Sequence, residues 1–93
     1  MVKLVRVVAS PRANHKWRAE FDNGTHTDFG AAGMSDYTQH HDKERRERYR
    51  ARHLRDLQTG DPTRAGYLSW FLLWGESTSL ARNLADYRRR FEL

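Results

Sequence analysis

Cysteine is absent from this chain. A disulfide framework, a thiolate metal site and a thiol nucleophile are thereby excluded together, and the fold owes nothing to an oxidising compartment. Long apolar runs are missing as well. The longest, "YLSWFLLW" at Tyr67–Trp74, falls far short of the roughly 20 residues needed to span a membrane. "MVKLVRVVAS" is too short, and too interrupted by Lys3 and Arg6, for a secretory signal. A soluble protein is expected. Neither G-x-G-x-x-G nor G-x-x-x-x-G-K-[ST] occurs, so no phosphate-cradling fingerprint is present. At 93 residues there is room for one domain with a single modest core, spanning 1–93.

What is present in excess is positive charge. The formal net charge is +5 and the sequence pI about 10.1, a balance that points to an anionic partner. Its location says more than its size. Between Lys43 and Arg55 stand seven basic residues (Lys43, Arg45, Arg46, Arg48, Arg50, Arg52, Arg55) against Glu44 and Glu47, and elsewhere ten basic residues balance ten acidic ones. The whole imbalance belongs to one helix-sized segment.

The N-terminal region, residues 1–30, reads as strands. "KLVRVVA" is rich in β-branched residues, and "HKWRAEF" alternates Trp17, Ala19 and Phe21 with Lys16, Arg18 and Glu20. "DNG" at Asp22–Gly24 marks a hairpin. A two-residue turn would set Phe21 opposite His26, whereas a three-residue loop with Gly24 in a left-handed bulge pairs Phe21 with Thr25, Ala19 with Thr27 and Trp17 with Phe29. The second register keeps one face apolar and is the expected one. "FGAAGMSDYT" is expected to end the sheet at Gly30 and Gly33 and to serve as a linker.

Three helices are expected to follow, giving an α+β fold: a small antiparallel hairpin or three-stranded meander, then helices. The first runs from an Asp42 N-cap through 42–58 and stops at "TGDP", with Gly60 and Pro62. The second, 63–74, is apolar around almost its whole circumference and should form the buried centre. The third, 78–91, capped by Thr78 or Ser79, carries Leu80, Leu84, Tyr87 and Phe91 on one face.

On a wheel of 100° per residue, Arg45, Arg48, Arg52 and Arg55 fall within an arc of about 80°. They form a stripe about 15 Å long at ~1.5 Å per residue. Tyr49, His53, Leu54 and Leu57 lie opposite and are expected to pack inward. Arg46 and Arg50 fall among them, where they must snorkel out along their stems or meet carboxylates, and they are expected to flank the stripe as further nucleic-acid contacts. A solvated helix with pairs such as Glu44–Arg48 is the bland alternative, yet two glutamates cannot neutralise seven cations. Arginine outnumbers lysine here six to one, which favours forked hydrogen bonding to phosphate. A stripe neutralising four to six phosphates on duplex DNA predicts a log K against log salt slope of roughly −4 to −5. With no Asn in the segment, bidentate reading of adenine is not expected. Arg88, Arg89 and Arg90 are expected to form a second basic patch.

Other chemistry is weaker. His40, His41 and His53, with Asp36 or Asp42, would be the ligands of a metal-dependent nuclease, but their spacing matches no zinc pattern and no metal or other cofactor is expected. Tyr67, Trp70, Phe71 and Trp74 could stack single-stranded bases, though helical spacing in so small a chain favours the core. Trp17 and Phe29 raise the same question on the sheet.

"FGAAGMSDYTQHHDKERRERYRARH", "AGYLSWFLLWG" and "LADYRRRF" together resemble small basic proteins encoded by giant nucleocytoplasmic DNA viruses, and are similar to the family of dinoflagellate/viral nucleoproteins. The resemblance covers roughly residues 16 to 91 and is most specific at Phe29-Gly30, Asp36-Tyr37-Thr38, Asp42, Tyr49, Arg52-His53, Ala65-Gly66, Ser69 and Leu73-Trp74. It implies a DNA-binding nucleoprotein that coats or compacts duplex DNA without strong sequence preference, in a virion or in the host nucleus or cytoplasm. This chain lacks the long lysine-rich N-terminal tail of the nucleoproteins, which puts strong compaction in doubt. The expectation is a non-enzymatic protein without a membrane partner. The alternative is a structural virion protein whose arginines meet acidic protein surfaces and whose aromatic helix completes a homo-oligomer.

Overall fold

Residues 2–93 are described by the structure, a computed structural model. Three antiparallel strands, β1 (Leu4–Ala9), β2 (His15–Phe21) and β3 (His26–Ala31), form a meander in the order β1-β2-β3. The hairpin register follows side-chain faces as expected. Trp17 stands opposite Phe29 and Ala19 opposite Thr27, while the Phe21 N–H donates to the Thr25 carbonyl at 3.0 Å. Gly24 supplies the left-handed corner, with φ +85° and its N–H bonded to the Phe21 carbonyl.

One face of the sheet carries Ala19, Phe21 and Phe29, all buried, and receives the helices. Trp17 packs against the same core. These aromatics therefore present no open platform for bases. On the sheet's polar side chains, Arg18 reaches Asp28 through two hydrogen bonds (2.9 and 3.1 Å), and the Ser10 hydroxyl adds a third at 2.9 Å. The Arg18 guanidinium, helped by Ser10, holds the Asp28 carboxyl down to about 2. A carboxyl depressed from an unfolded value near ~3.9 contributes stability above that pH and loses it as pH falls toward 2. Asp28→Asn is therefore expected to flatten the dependence of Tm on pH between about 4 and 2. An unchanged acid limb in thermal melts followed by circular dichroism would rule this out.

β3 does not end at Gly30. It continues to Ala31, with Gly30 inside the strand at φ +79°, and a Cβ there would lie 2.9 Å from Leu73 Cδ1. The residue expected to break the sheet instead lets a helix approach it closely.

The helical part departs from three simple helices. A short helix, α1 (Tyr37–His40), precedes the arginine segment. It is fixed by a capping box: Asp36 Oδ1 accepts from the Thr38 N–H at 2.9 Å, and Gln39 Oε1 accepts from the Asp36 N–H at 3.2 Å. Its sequence signal, "DYTQ", was legible in what reads as a linker. The arginine helix, α2 (Lys43–His53), has Asp42 as N-cap, accepting from Glu44 and Arg45, and then tightens into a 3₁₀ turn at Leu54–Thr59 that Gly60 closes. The apolar segment starts as α3 (Ala65–Leu68) and widens into a π turn at Ser69–Leu73, where the Trp74 N–H reaches back to Ser69. It forms the buried centre, with Leu68, Trp70, Leu72, Leu73 and Trp74 all buried within this one chain. The last helix, α4 (Leu80–Phe91), is capped by Ser79.

Within the apolar stripe of α4, Tyr87 is buried and Leu80, Leu84 and Phe91 pack around the core. Asn83, between them, is also buried. Its Nδ2 donates to the Leu72 and Ser77 carbonyls (2.9 and 2.7 Å), and its Oδ1 accepts from the Ser77 N–H (3.1 Å). It replaces helix-end and loop hydrogen bonds that the buried segment cannot obtain from water. Asn83→Ala leaves these groups unpaired and is expected to cost about 3 kcal/mol, a Tm lower by roughly 15 °C. A shift below about 4 °C in calorimetry would show that Asn83 is dispensable.

Candidate functional site

No residue of α2 is fully buried. What holds so polar a helix to the domain is a set of contacts from one side. Arg46 Nε donates to the Gly75 carbonyl at 2.6 Å, its guanidinium pairs with Glu47 and lies 3.4 Å from Glu76, and it stands over the Tyr37 ring. Arg50 donates to the Trp74 carbonyl at 3.0 Å and lies 4.7 Å from the Trp70 ring centre. Burial, with the Arg46 charge beside it, pulls the Arg50 guanidinium below its ordinary value. These two arginines answer the question the helical wheel left open: they face the core, satisfied by carbonyl acceptors at the end of the π turn, and do not flank an outer stripe.

Between them Tyr49 lies flat on Trp74, with centroids 4.2 Å apart and planes 7° apart. Its other face stacks with His53 at 4.2 Å, and His40 meets Trp74 at 5.3 Å. The four rings, in the order His40, Trp74, Tyr49, His53, make a column along the inner side of α2. Burial is the main cause that pushes the Tyr49 phenol up to about 12. His40 accepts the Asp42 N–H at Nδ1, and burial, with Arg45 nearby, lowers its pKa. His53 Nδ1 lies 3.0 Å from Asp56. Leu57 is half-buried, but Leu54, expected on the packing side, is 59% exposed. The change to 3₁₀ geometry at Leu54 rotates it away from the face that a continuous α-helix would have given it.

Arg45, Arg48 and Arg52 are exposed and line a cleft of about 440 Å³ between α2 and the segment from β3 to α1. Its other walls are Lys16, Ala31, Met34, Ser35 and Asp36, with Ser69, Leu73, Trp74, Tyr49 and His53 behind. Lys16 Nζ meets Asp36 Oδ2 at 2.6 Å and Gln39 Oε1 at 2.8 Å, so the one carboxylate in the lining is neutralised. Arg55 is exposed but sits past the switch to 3₁₀ geometry, outside the cleft lining. Lys43 is exposed at the first turn. Among the described residues Lys43, Arg45, Arg48, Arg52 and Arg55 form no ion pair, and the expected Glu44–Arg48 pair is absent.

The second patch does not assemble as one surface. Arg88 donates to the Leu4 and Val5 carbonyls (3.0 and 2.8 Å), closing the exposed edge of β1. Arg89 pairs with Asp86, and Arg90 lies 5.2 Å over the Phe71 ring. Nor do His40, His41 and His53 converge: among the described residues no group of three His, Asp or Glu side chains could hold a metal ion. The nuclease reading loses its ligand set. No helix among the described residues is long and apolar enough to cross a membrane.

A model of a family of unknown function, DUF5754, matches residues 5–53, just over half of the chain. The chain belongs to this family. The DUF5754 match opens in β1 and closes with the last residue of α2, so it takes in the sheet, α1, the cleft wall from Lys16 to Asp36 and all of the cleft arginines. Arg55, Trp74 and the rest of the helical layer lie outside it. No curated protein and no solved structure matches the chain.

Lys16, Met34 and Ser35 were not among the site residues that sequence pattern singled out, and Ser69 was marked only by the family resemblance. Only their spatial convergence marks them as lining one cleft, because Lys16 comes from β2, Met34 and Ser35 from the loop before α1, and Ser69 from the π turn.

Proposed function

We propose that this chain is a non-enzymatic, largely sequence-independent DNA-binding protein that holds duplex DNA through phosphates. One observation carries the reading: the segment that contains the entire charge imbalance turns Arg45, Arg48 and Arg52 outward along one cleft, with Lys43 and Arg55 at either end and no carboxylate paired to any of them. Unneutralised, closely spaced cations on one helix repel one another, and a phosphate backbone relieves that repulsion. With Arg46 and Arg50 turned inward, four or five phosphate contacts remain available. The expected slope of log K against log salt is then about −3.5 to −4.5. The setting of a giant-virus particle, or its host's nucleus or cytoplasm, rests on the resemblance of the segments quoted above.

The test is a salt-titrated binding series with two unrelated duplexes, a single strand, RNA and heparin. Equal affinity for the two duplexes with that slope supports the proposal. No duplex binding at low salt, or a slope shallower than about −1, overturns it.

A further inference from the structure

The cleft beside the arginines is more than a charged surface. Its floor is apolar and aromatic, built from Leu73, Trp74 and Tyr49, and its far wall sets Ala31 and Met34 beside Lys16, Ser35 and Asp36, while its near rim is Arg45, Arg48 and Arg52. Its volume of about 440 Å³ lies in the range of small-ligand sites, where apolar walls with a few polar groups are usual. Phosphate binding alone has no use for such a floor.

Two further features are unexplained by packing. The ring column ends at His53, which has one ring neighbour, Tyr49, and whose side chain is 41% exposed at the cleft. Across the cleft Met34 is 65% exposed, one of three large apolar side chains left in solvent among the described residues. A flat apolar group entering between them would extend the column by one ring and cover Met34. The cations on the rim require that the same ligand be anionic. Lys16 retains a third N–H beyond those given to Asp36 and Gln39.

We propose that the cleft binds a nucleotide with an exposed base, the base stacked on His53 against Met34 and the phosphate held by Arg45, Arg48 and Arg52. The occupant is an unpaired nucleotide in a strand: an overhang, a gap or a single-stranded stretch. This rests on the phosphate-binding reading of the arginines, and adds that the protein distinguishes exposed bases from paired ones. Stacking is indifferent to base identity, so the preference is for strandedness and not for sequence.

The probes are oligo(dT) of twelve nucleotides, a blunt duplex and AMP, with the full chain. Met34→Ala and His53→Ala are expected to weaken oligo(dT) binding roughly tenfold, the range of one lost base stack, while blunt-duplex affinity stays within about twofold. His53→Phe, which keeps a ring at the end of the column, is expected to retain oligo(dT) binding. Met34 is exposed, so its variant keeps the fold even if the His53 variants do not. Displacement of oligo(dT) by millimolar AMP supports the same cleft and extends it to free nucleotides; its failure confines the ligand to a strand. Equal losses on oligo(dT) and duplex for Met34→Ala, or no loss on either, overturn the cleft proposal. Arg48→Gln with Arg52→Gln separates the two readings. If that variant weakens duplex binding while Met34→Ala changes nothing, the phosphate reading stands and the cleft falls. If the wild type binds oligo(dT) but no duplex, the reverse holds.

Discussion

Replacing Arg48 and Arg52 together by glutamine is expected to weaken binding to unrelated duplex sequences alike, by about 50-fold at 0.1 M salt, and to flatten the salt slope by about two units. The size follows from counterion release. Each phosphate neutralised on B-DNA contributes about 0.9 to the slope, so two lost contacts amount to a factor of roughly 60 between 1 M and 0.1 M salt. The substitution tests charge without testing the fold, because both side chains are exposed and neither has an ion-pair or hydrogen-bond partner among the described residues. The matched control is Arg50→Gln. That side chain spans from α2 to the Trp74 carbonyl and the Trp70 ring, so its loss should lower Tm before it alters the salt slope. Unchanged affinity in the double variant, measured by fluorescence anisotropy on two duplexes, would remove the stripe as a phosphate contact.

Trp74→Ala is expected to have the largest effect on stability, about 3–5 kcal/mol. In a domain of this size that corresponds to a Tm lower by roughly 20 °C. Trp74 is buried between Tyr49 and His40, and its own carbonyl receives Arg50, so one residue joins α1, α2 and the π turn. Since α2 has no fully buried side chain, loss of this ring should release α2 more than the sheet. Hydrogen exchange gives the discriminating readout: amides of Glu47–Ala51 should exchange faster in the variant even under conditions where Ala19 and Phe29 remain protected. Uniform loss of protection across sheet and helices would instead mean that Trp74 supports the whole core equally.

Much of the architecture was legible in residue order because it rests on local periodicity. The hairpin register came from a single face argument at Phe21, Ala19 and Trp17, and holds because a one-residue slip would expose every apolar side chain of β2. Asp42, Gly60 and Ser79 mark helix ends by chemistry that acts within a few residues. The 3₁₀ and π turns were not legible. They arise where tertiary packing sets the backbone, and the wheel drawn for a uniform α-helix therefore misplaced Leu54 and carried Arg55 too far along the stripe. Asn83 was hidden for a similar reason: its partners are the Leu72 and Ser77 carbonyls and the Ser77 N–H, in the chain leading into α4, which no spacing within α4 reveals.

Sequence alone determined where the charge lies, that the first third is an antiparallel hairpin or meander, and which segment is the apolar centre. These depend on composition and on periods of two or about 3.6, both properties of short stretches. The tertiary structure decided which arginines are free. Arg46, Arg50 and Arg88 look like their neighbours in the sequence, yet each meets backbone carbonyls 24 to 84 residues away, and so each turns inward. Arg45, Arg48 and Arg52 find no such acceptor. What remains open to a ligand is set by which cations the fold itself uses, and that depends on distances in space.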